Sequence, residues 1–83
     1  MKTFEKMFQE LGYEREPAGH VLLSSSYIRR LSGSDYERIY IYRTGVICKV
    51  VGHAGRELIC SRLTDDEERA IIRMREEMET NKC

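Results

Sequence analysis

Tryptophan is absent, proline occurs once, and the three cysteines, Cys48, Cys60 and Cys83, form no Cys-x-x-Cys pair. An odd, scattered set of cysteines argues against a disulfide framework and leaves reduced thiols as the expectation. No apolar run approaches the roughly 20 residues that cross a bilayer. Lys2, Glu5 and Lys6 interrupt the Met1 to Glu10 stretch where a signal peptide would be apolar. A cytoplasmic location without membrane contact is therefore expected. An excess of one charge is also missing, because 14 basic residues balance 14 acidic ones. That balance disfavours nucleic acid as a partner, since affinity for a phosphate backbone needs a strong positive field.

The balance is uneven along the chain. Pro17 to Arg62 holds seven basic and three acidic residues, whereas Leu63 to Cys83 holds four basic and seven acidic ones. At 83 residues, positions 1–83 read as a single domain with one core. A domain of that size is small enough that support from a partner or from self-association stays open, homodimerisation included.

Phe4, Met7, Phe8 and Leu11 recur at i, i+3, i+4 and i+7, which predicts an amphipathic helix from Lys2 to Leu11. Thr3 suits its start, Gly12 suits its end, and Pro17 bars continuation. The period then changes. Val, Leu, Tyr and Ile enrich His20 to Leu31 and predict a strand, although Ser24-Ser25-Ser26 weakens it. Ser32-Gly33-Ser34-Asp35 reads as a turn, and Glu37 to Arg43 as a half-buried alternating strand. Thr44-Gly45 reads as a two-residue hairpin connection to a strand at Val46 to Val51, and Gly52 to Arg56 as a loop leading to a fourth strand at Glu57 to Leu63. Thr64-Asp65-Asp66-Glu67 matches a capping box and opens a second helix, with Ala70, Ile71, Met74 and Met78 on one stripe. Asn81-Lys82-Cys83 should fray. The predicted fold is α+β: an N-terminal helix, a four-stranded antiparallel β-meander and a C-terminal helix.

A two-residue turn at Thr44-Gly45 would pair Tyr42 with Ile47 and Tyr40 with Lys49, and cross-strand partners share a face. A hairpin centred on Ala54-Gly55 would pair Val50 with Ile59. In that register Ile28, Ile39, Ile41, Cys48, Val50 and Ile59 form the core face. The opposite face collects Arg38, Tyr40, Tyr42, Ile47, Lys49, Val51, Leu58, Cys60 and Arg62, joined by Tyr27 and Arg29 if the first hairpin closes around Gly33-Ser34. One reading of this face is a solvated sheet surface, or one partly covered by a helix. The sharper reading is a partner-binding patch of Arg38, Tyr40, Tyr42, Lys49, Arg62, Tyr27 and Arg29, because Tyr and Arg supply large contact area and charge-assisted bonds. The acidic start of the second helix, Asp65, Asp66, Glu67 and Glu68, forms a second candidate patch that could mimic nucleic-acid phosphates.

Catalytic chemistry is not visible. Cys48, His53 and Cys60 fall short of a zinc set because a fourth ligand is missing. His20 and His53 sit beside glycines in predicted loops, and Cys48 has no positioned base. Gly52-His53-Ala54-Gly55-Arg56 joins strand to strand and so lacks the helix N-terminus that a phosphate loop uses. The acidic run at Asp65 to Glu68 is accounted for by the dipole of the helix it starts. No catalytic, cofactor-binding or metal-binding residue is assigned, and a non-enzyme is expected.

The segment Phe4-Glu5-Lys6-Met7-Phe8-Gln9-Glu10-Leu11-Gly12-Tyr13-Glu14, the alternation Ile39-Tyr40-Ile41-Tyr42, and Leu63-Thr64 before an acidic helix together resemble the small accessory proteins of phages and prophages of low-GC Gram-positive bacteria. Those proteins commonly close on a Leu-Gly-Trp-like end, whereas this chain ends Asn81-Lys82-Cys83. The resemblance implies a mobile-element protein, from a class that includes anti-CRISPR inhibitors of host defence, acting without catalysis by sterically occluding a host bacterial protein such as a defence effector. An oligomer that binds a nucleotide signal or nucleic acid through the basic middle segment is one alternative. A structural homodimer, joined through exposed Ile47, Val51 and Leu58 or through edge strands, is another.

Overall fold

Thr3 caps the first helix, its side chain accepting from the Lys6 amide at 3.2 Å, and α1 runs over Phe4–Glu10. It stops in a Schellman motif. Gly12, at φ 91°, donates to the Gln9 carbonyl at 3.0 Å, and Tyr13 donates to the Phe8 carbonyl at 2.9 Å. The apolar contact that accompanies such a motif is also present, with the Tyr13 ring set edge-on against Phe8 at 5.8 Å. The computed structural model describes residues 2–17, 19–60 and 62–80. Ser61 and the Asn81-Lys82-Cys83 end predicted to fray lie outside them.

Among the described residues the sheet has five strands, one more than predicted: β1 (Glu14–Glu16), β2 (Leu23–Arg30), β3 (Asp35–Tyr42), β4 (Ile47–His53) and β5 (Arg56–Cys60), in the order β1-β2-β3-β4-β5, all antiparallel. The additional strand is the charged tripeptide Glu-Arg-Glu, which carries no apolar alternation and is held by main-chain pairing to β2. The second helix, α2, covers Asp65–Thr80. Its capping box is formed, with Glu67 N donating to Thr64 Oγ1 at 3.2 Å and Thr64 N donating to Glu67 Oε1 at 3.0 Å. Both helices lie on one side of the sheet. There Phe8, Tyr13, Tyr27, Ile39, Ile41, Ala70, Ile71 and Met74 form the core, and the Phe8 and Tyr27 rings stack at 4.4 Å.

The register differs from the predicted one by one residue at two hairpins. Gly45 donates to the Tyr42 carbonyl at 3.0 Å and Tyr42 donates to the Val46 carbonyl at 2.9 Å, with Gly45 at φ 94°. These are the marks of a three-residue loop, Arg43-Thr44-Gly45, in which a type I turn is followed by a left-handed glycine. Tyr40 therefore pairs with Cys48 and Ile39 with Lys49. The loop at Ser32-Gly33-Ser34 likewise sets Tyr27 opposite Ile39 and Arg29 opposite Glu37. Because side chains alternate at period two, a one-residue slip exchanges the faces of the neighbouring strand. Tyr27, Arg29, Ile47, Lys49, Val51 and Leu58 consequently stand on the helix side, and Ile28, Cys48, Val50 and Ile59 on the open side. The Ala54-Gly55 hairpin matches its prediction, with Val50 opposite Ile59.

Candidate functional site

The open side of the sheet is organised by Arg38, midway along β3. Its Nε and Nη2 meet the two oxygens of Glu16 on β1 at 2.7 and 3.0 Å, a bidentate pair, while Nη1 reaches Glu57 Oε2 on β5 at 2.6 Å. Glu57 also accepts from the hydroxyls of Tyr36 and Tyr40, each at 2.8 Å, and the guanidinium lies 5.1 Å from the Tyr36 ring centre. One side chain thus ties both edge strands to the centre. Beneath it, its cross-strand neighbours Ile28 and Val50 are 4% and 5% exposed although no helix covers them. The polar network acts as their roof. Burial pushes the Glu57 carboxyl upward, but the hydroxyls of Tyr36 and Tyr40 and the Arg38 charge outweigh it and hold the group below its ordinary value.

Beside this network lies a cleft of about 310 Å³ lined by Glu16, Pro17, His20, Leu23, Ser26 and Tyr40. His20 Nδ1 accepts from the Leu22 amide at 3.1 Å. Tyr42 stands half-buried at the end of the same face, and Arg30 is exposed at its other end.

A second network lies under the helices. Glu67, fully buried, accepts from Lys49 Nζ at 2.8 and 3.1 Å and from the Tyr13 hydroxyl at 2.6 Å. Lys49 also meets Glu37 at 3.1 Å, and Glu37 is paired in turn with Arg29. Arg29 donates to the Leu11 carbonyl at 3.0 Å, satisfying an end of α1, and lies 4.7 Å over the Tyr13 ring. Two cations and two carboxylates make this cluster neutral. Burial alone would lower the Lys49 pKa, but the hydrogen bonds it donates to Glu67 and Glu37 carry it above the ordinary value; against desolvation, Arg29 and Lys49 hold Glu37 below its ordinary value, and Lys49, Tyr13 and the Thr64 amide hold Glu67 below its own.

Of the partner-binding residues read from the sequence, Arg38, Tyr40 and Tyr42 share the open face. Arg29, Lys49 and Tyr27 do not, because the two three-residue loops turn them to the helix side. Arg62 is exposed between β5 and α2. In the second patch Asp65, Asp66 and Glu68 are exposed, with Asp66 3.6 Å from Arg69, whereas Glu67 is buried in the internal network. The acidic surface is therefore smaller than the motif suggested. The sequence reading did not single out Glu16, Tyr36 and Glu57. The Tyr36-x-Arg38-x-Tyr40 spacing was the available signal for Tyr36, but Glu16 and Glu57 are brought in by strands far apart in the chain.

Among the described residues, no cluster of three or more His, Cys, Asp and Glu side chains is placed to hold a metal ion, and no helix is long and apolar enough to cross a membrane. Cys48 lies on the open face, and the His53 ring is hydrogen-bonded to the Asp35 carboxylate. No protein-family model, curated protein or solved structure matches the chain.

Proposed function

We propose that this chain is a non-enzymatic binding protein, of the phage or prophage accessory kind its sequence resembles, that occludes a bacterial host protein through the sheet face the helices leave open. The observation that carries the reading is the one-sided placement of the helices combined with the network around Arg38. Together they leave a broad face on which Tyr36, Tyr40 and Arg38 are already held in place. A surface whose side chains are fixed before contact loses little rotamer entropy on binding, and Tyr and Arg are the residue types that dominate hot spots. A defence effector is the class of target that the sequence resemblance implies.

The face carries carboxylates as well as cations, which suits a protein surface of mixed charge better than a polyanion. The nucleotide or nucleic-acid alternative has less behind it, because Arg29, Lys49 and Arg38 are each engaged by carboxylates within the fold. The test is capture of a partner from bacterial host lysate, followed by direct binding of the identified protein to two variants. Tyr42→Asp combined with Arg30→Glu alters the open face without entering either network, and Ile72→Glu alters the far side of α2, where Ile72 is 55% exposed. Loss of binding in the first variant and retention in the second is expected. Equal affinity in both would remove the open face from the account.

A further inference from the structure

The two edges of the sheet are built differently. β1 is three residues long and wholly charged, Glu14, Arg15 and Glu16, which is how proteins blunt an edge against further pairing. β5 carries Leu58 and Ile59 at its centre, 77% and 80% exposed, one on each side of the sheet, and has no proline, lysine or bulge along its pairing with β4. From these observations we propose that β5 pairs antiparallel with β5 of a second copy of this chain, about a two-fold axis at Leu58, to make one continuous ten-stranded sheet. This inference is independent of the identity of any host partner.

Hydrogen-bond phase restricts the register. Ala54 and Gly55 have φ of 50° and 84°, the two left-handed positions of a two-residue type I′ hairpin, so the flanking pair His53 and Arg56 exchanges both main-chain bonds. Alternation then turns the Leu58 amide and carbonyl toward Val51 on β4, and those of Glu57 and Ile59 outward to the free edge. A two-fold axis that keeps the sheet continuous must pair positions of equal parity. Centring it on Glu57 would oppose two carboxylates. Centring it on Leu58 sets Glu57 against Ile59 of the other copy twice, with both partners presenting free main-chain groups, and places Leu58 against Leu58 as the closer, non-hydrogen-bonded pair.

Side-chain chemistry agrees with that register. Glu57 is turned inward to Arg38 and to the Tyr36 and Tyr40 hydroxyls, so no unpaired carboxylate faces the axis. Val51, the cross-strand neighbour of Leu58, is 42% exposed on the same side, and the two copies would join Val51 and Leu58 into one apolar strip. A single strand pair is a small interface, so the dimer is weak and concentration-dependent. The axis stands perpendicular to the sheet, so both open faces point the same way, and the dimer doubles the binding surface.

Sedimentation equilibrium of the full chain tests this, together with two variants at the exposed position 58. The wild type should move from monomer to dimer across the micromolar to millimolar range. Leu58→Lys, which sets like charges against each other across the axis, should keep its circular dichroism and raise the dissociation constant roughly ten-fold or more. Leu58→Cys should form, on mild oxidation, a disulfide joining position 58 of one copy to position 58 of the other, identified by peptide mass mapping, because non-hydrogen-bonded antiparallel pairs bring the backbones within disulfide reach. A wild type that stays monomeric into the millimolar range, a dimer indifferent to Leu58→Lys, or cross-links that exclude position 58 would each overturn the proposal.

Discussion

Lys49 Nζ lies 2.8 Å from Glu67 Oε1, and the two side chains are only 5% and 0% exposed. The pair joins the middle of β4 to the first turn of α2, with Glu37, Arg29 and Tyr13 completing its hydrogen bonds. Removing one member of such a pair leaves the other charged and buried, which costs about 3–5 kcal/mol. Lys49→Met and Glu67→Gln should each destabilise the fold by that order, and the double variant by less than the sum of the two. Urea unfolding of the three proteins checks this. Strict additivity would mean that the two side chains do not act as a unit.

The same contacts set the pH range of the fold. Glu37, Glu57 and Glu67 have pKa values below the ordinary 4.5, so their contribution to stability is fully present above about pH 4.5 and is lost as pH falls through the lower folded values. Lys49 and Tyr13 are shifted upward from 10.5 and 10.0, so their contribution is intact below about pH 10 and is lost as pH rises beyond it. Melting temperature measured against pH should form a plateau between these limits and fall on the acid side. Glu67→Gln should make the acid limb shallower. An acid limb unchanged by that substitution would assign acid sensitivity to other carboxylates.

Gly52 and Tyr36 form a cross-strand pair in which the ring occupies the space of the missing side chain. A Cβ built on Gly52 would come within 2.1 Å of Tyr36 Cζ. Gly52→Val must therefore push the ring aside and release its hydroxyl from Glu57, at a cost of about 1–3 kcal/mol for the overpacking. In the background of Tyr36→Ala the same substitution should cost much less, since the obstacle is gone. Thermal unfolding of the four proteins of this cycle measures the coupling, and its absence would show that the ring does not sit on the glycine.

The helices were legible because their signals are local: the apolar spacing of Phe4, Met7, Phe8 and Leu11, and the Thr64 to Glu67 capping box. The sheet was legible in kind but not in face. Both failed hairpins hinge on one residue of loop length; the local clue at Arg43-Thr44-Gly45 was Thr44, a β-branched residue that a two-residue type I′ turn would force to positive φ, whereas a three-residue loop asks for that conformation only at Gly45. That single residue decides whether Lys49 faces solvent or the buried Glu67. The Glu14–Glu16 strand was missed because it is held by main-chain pairing rather than by an apolar face. The Arg38 roof needed β1, β3 and β5 together, and only the folded topology brings Glu16 and Glu57 to one guanidinium.

Tyr27 brings a polar group into the core. It is 2% exposed, stacks on Phe8, and its hydroxyl is buried without a hydrogen-bond partner among the described residues. The sequence reading put this hydroxyl on the binding face; the Ser32-Gly33-Ser34 loop carries it instead beneath α1. Burying a hydroxyl with no partner costs about 1–3 kcal/mol, whereas the ring itself contributes apolar area that phenylalanine would keep. Tyr27→Phe should accordingly raise stability, by on the order of 1 kcal/mol, against the usual run of core substitutions. Binding by the open face should be unchanged, because the ring lies on the other side of the sheet. Chemical unfolding of the variant decides the point. A loss of stability would mean that the hydroxyl has a bridging water as partner, and solvent would then reach into the core beside Phe8.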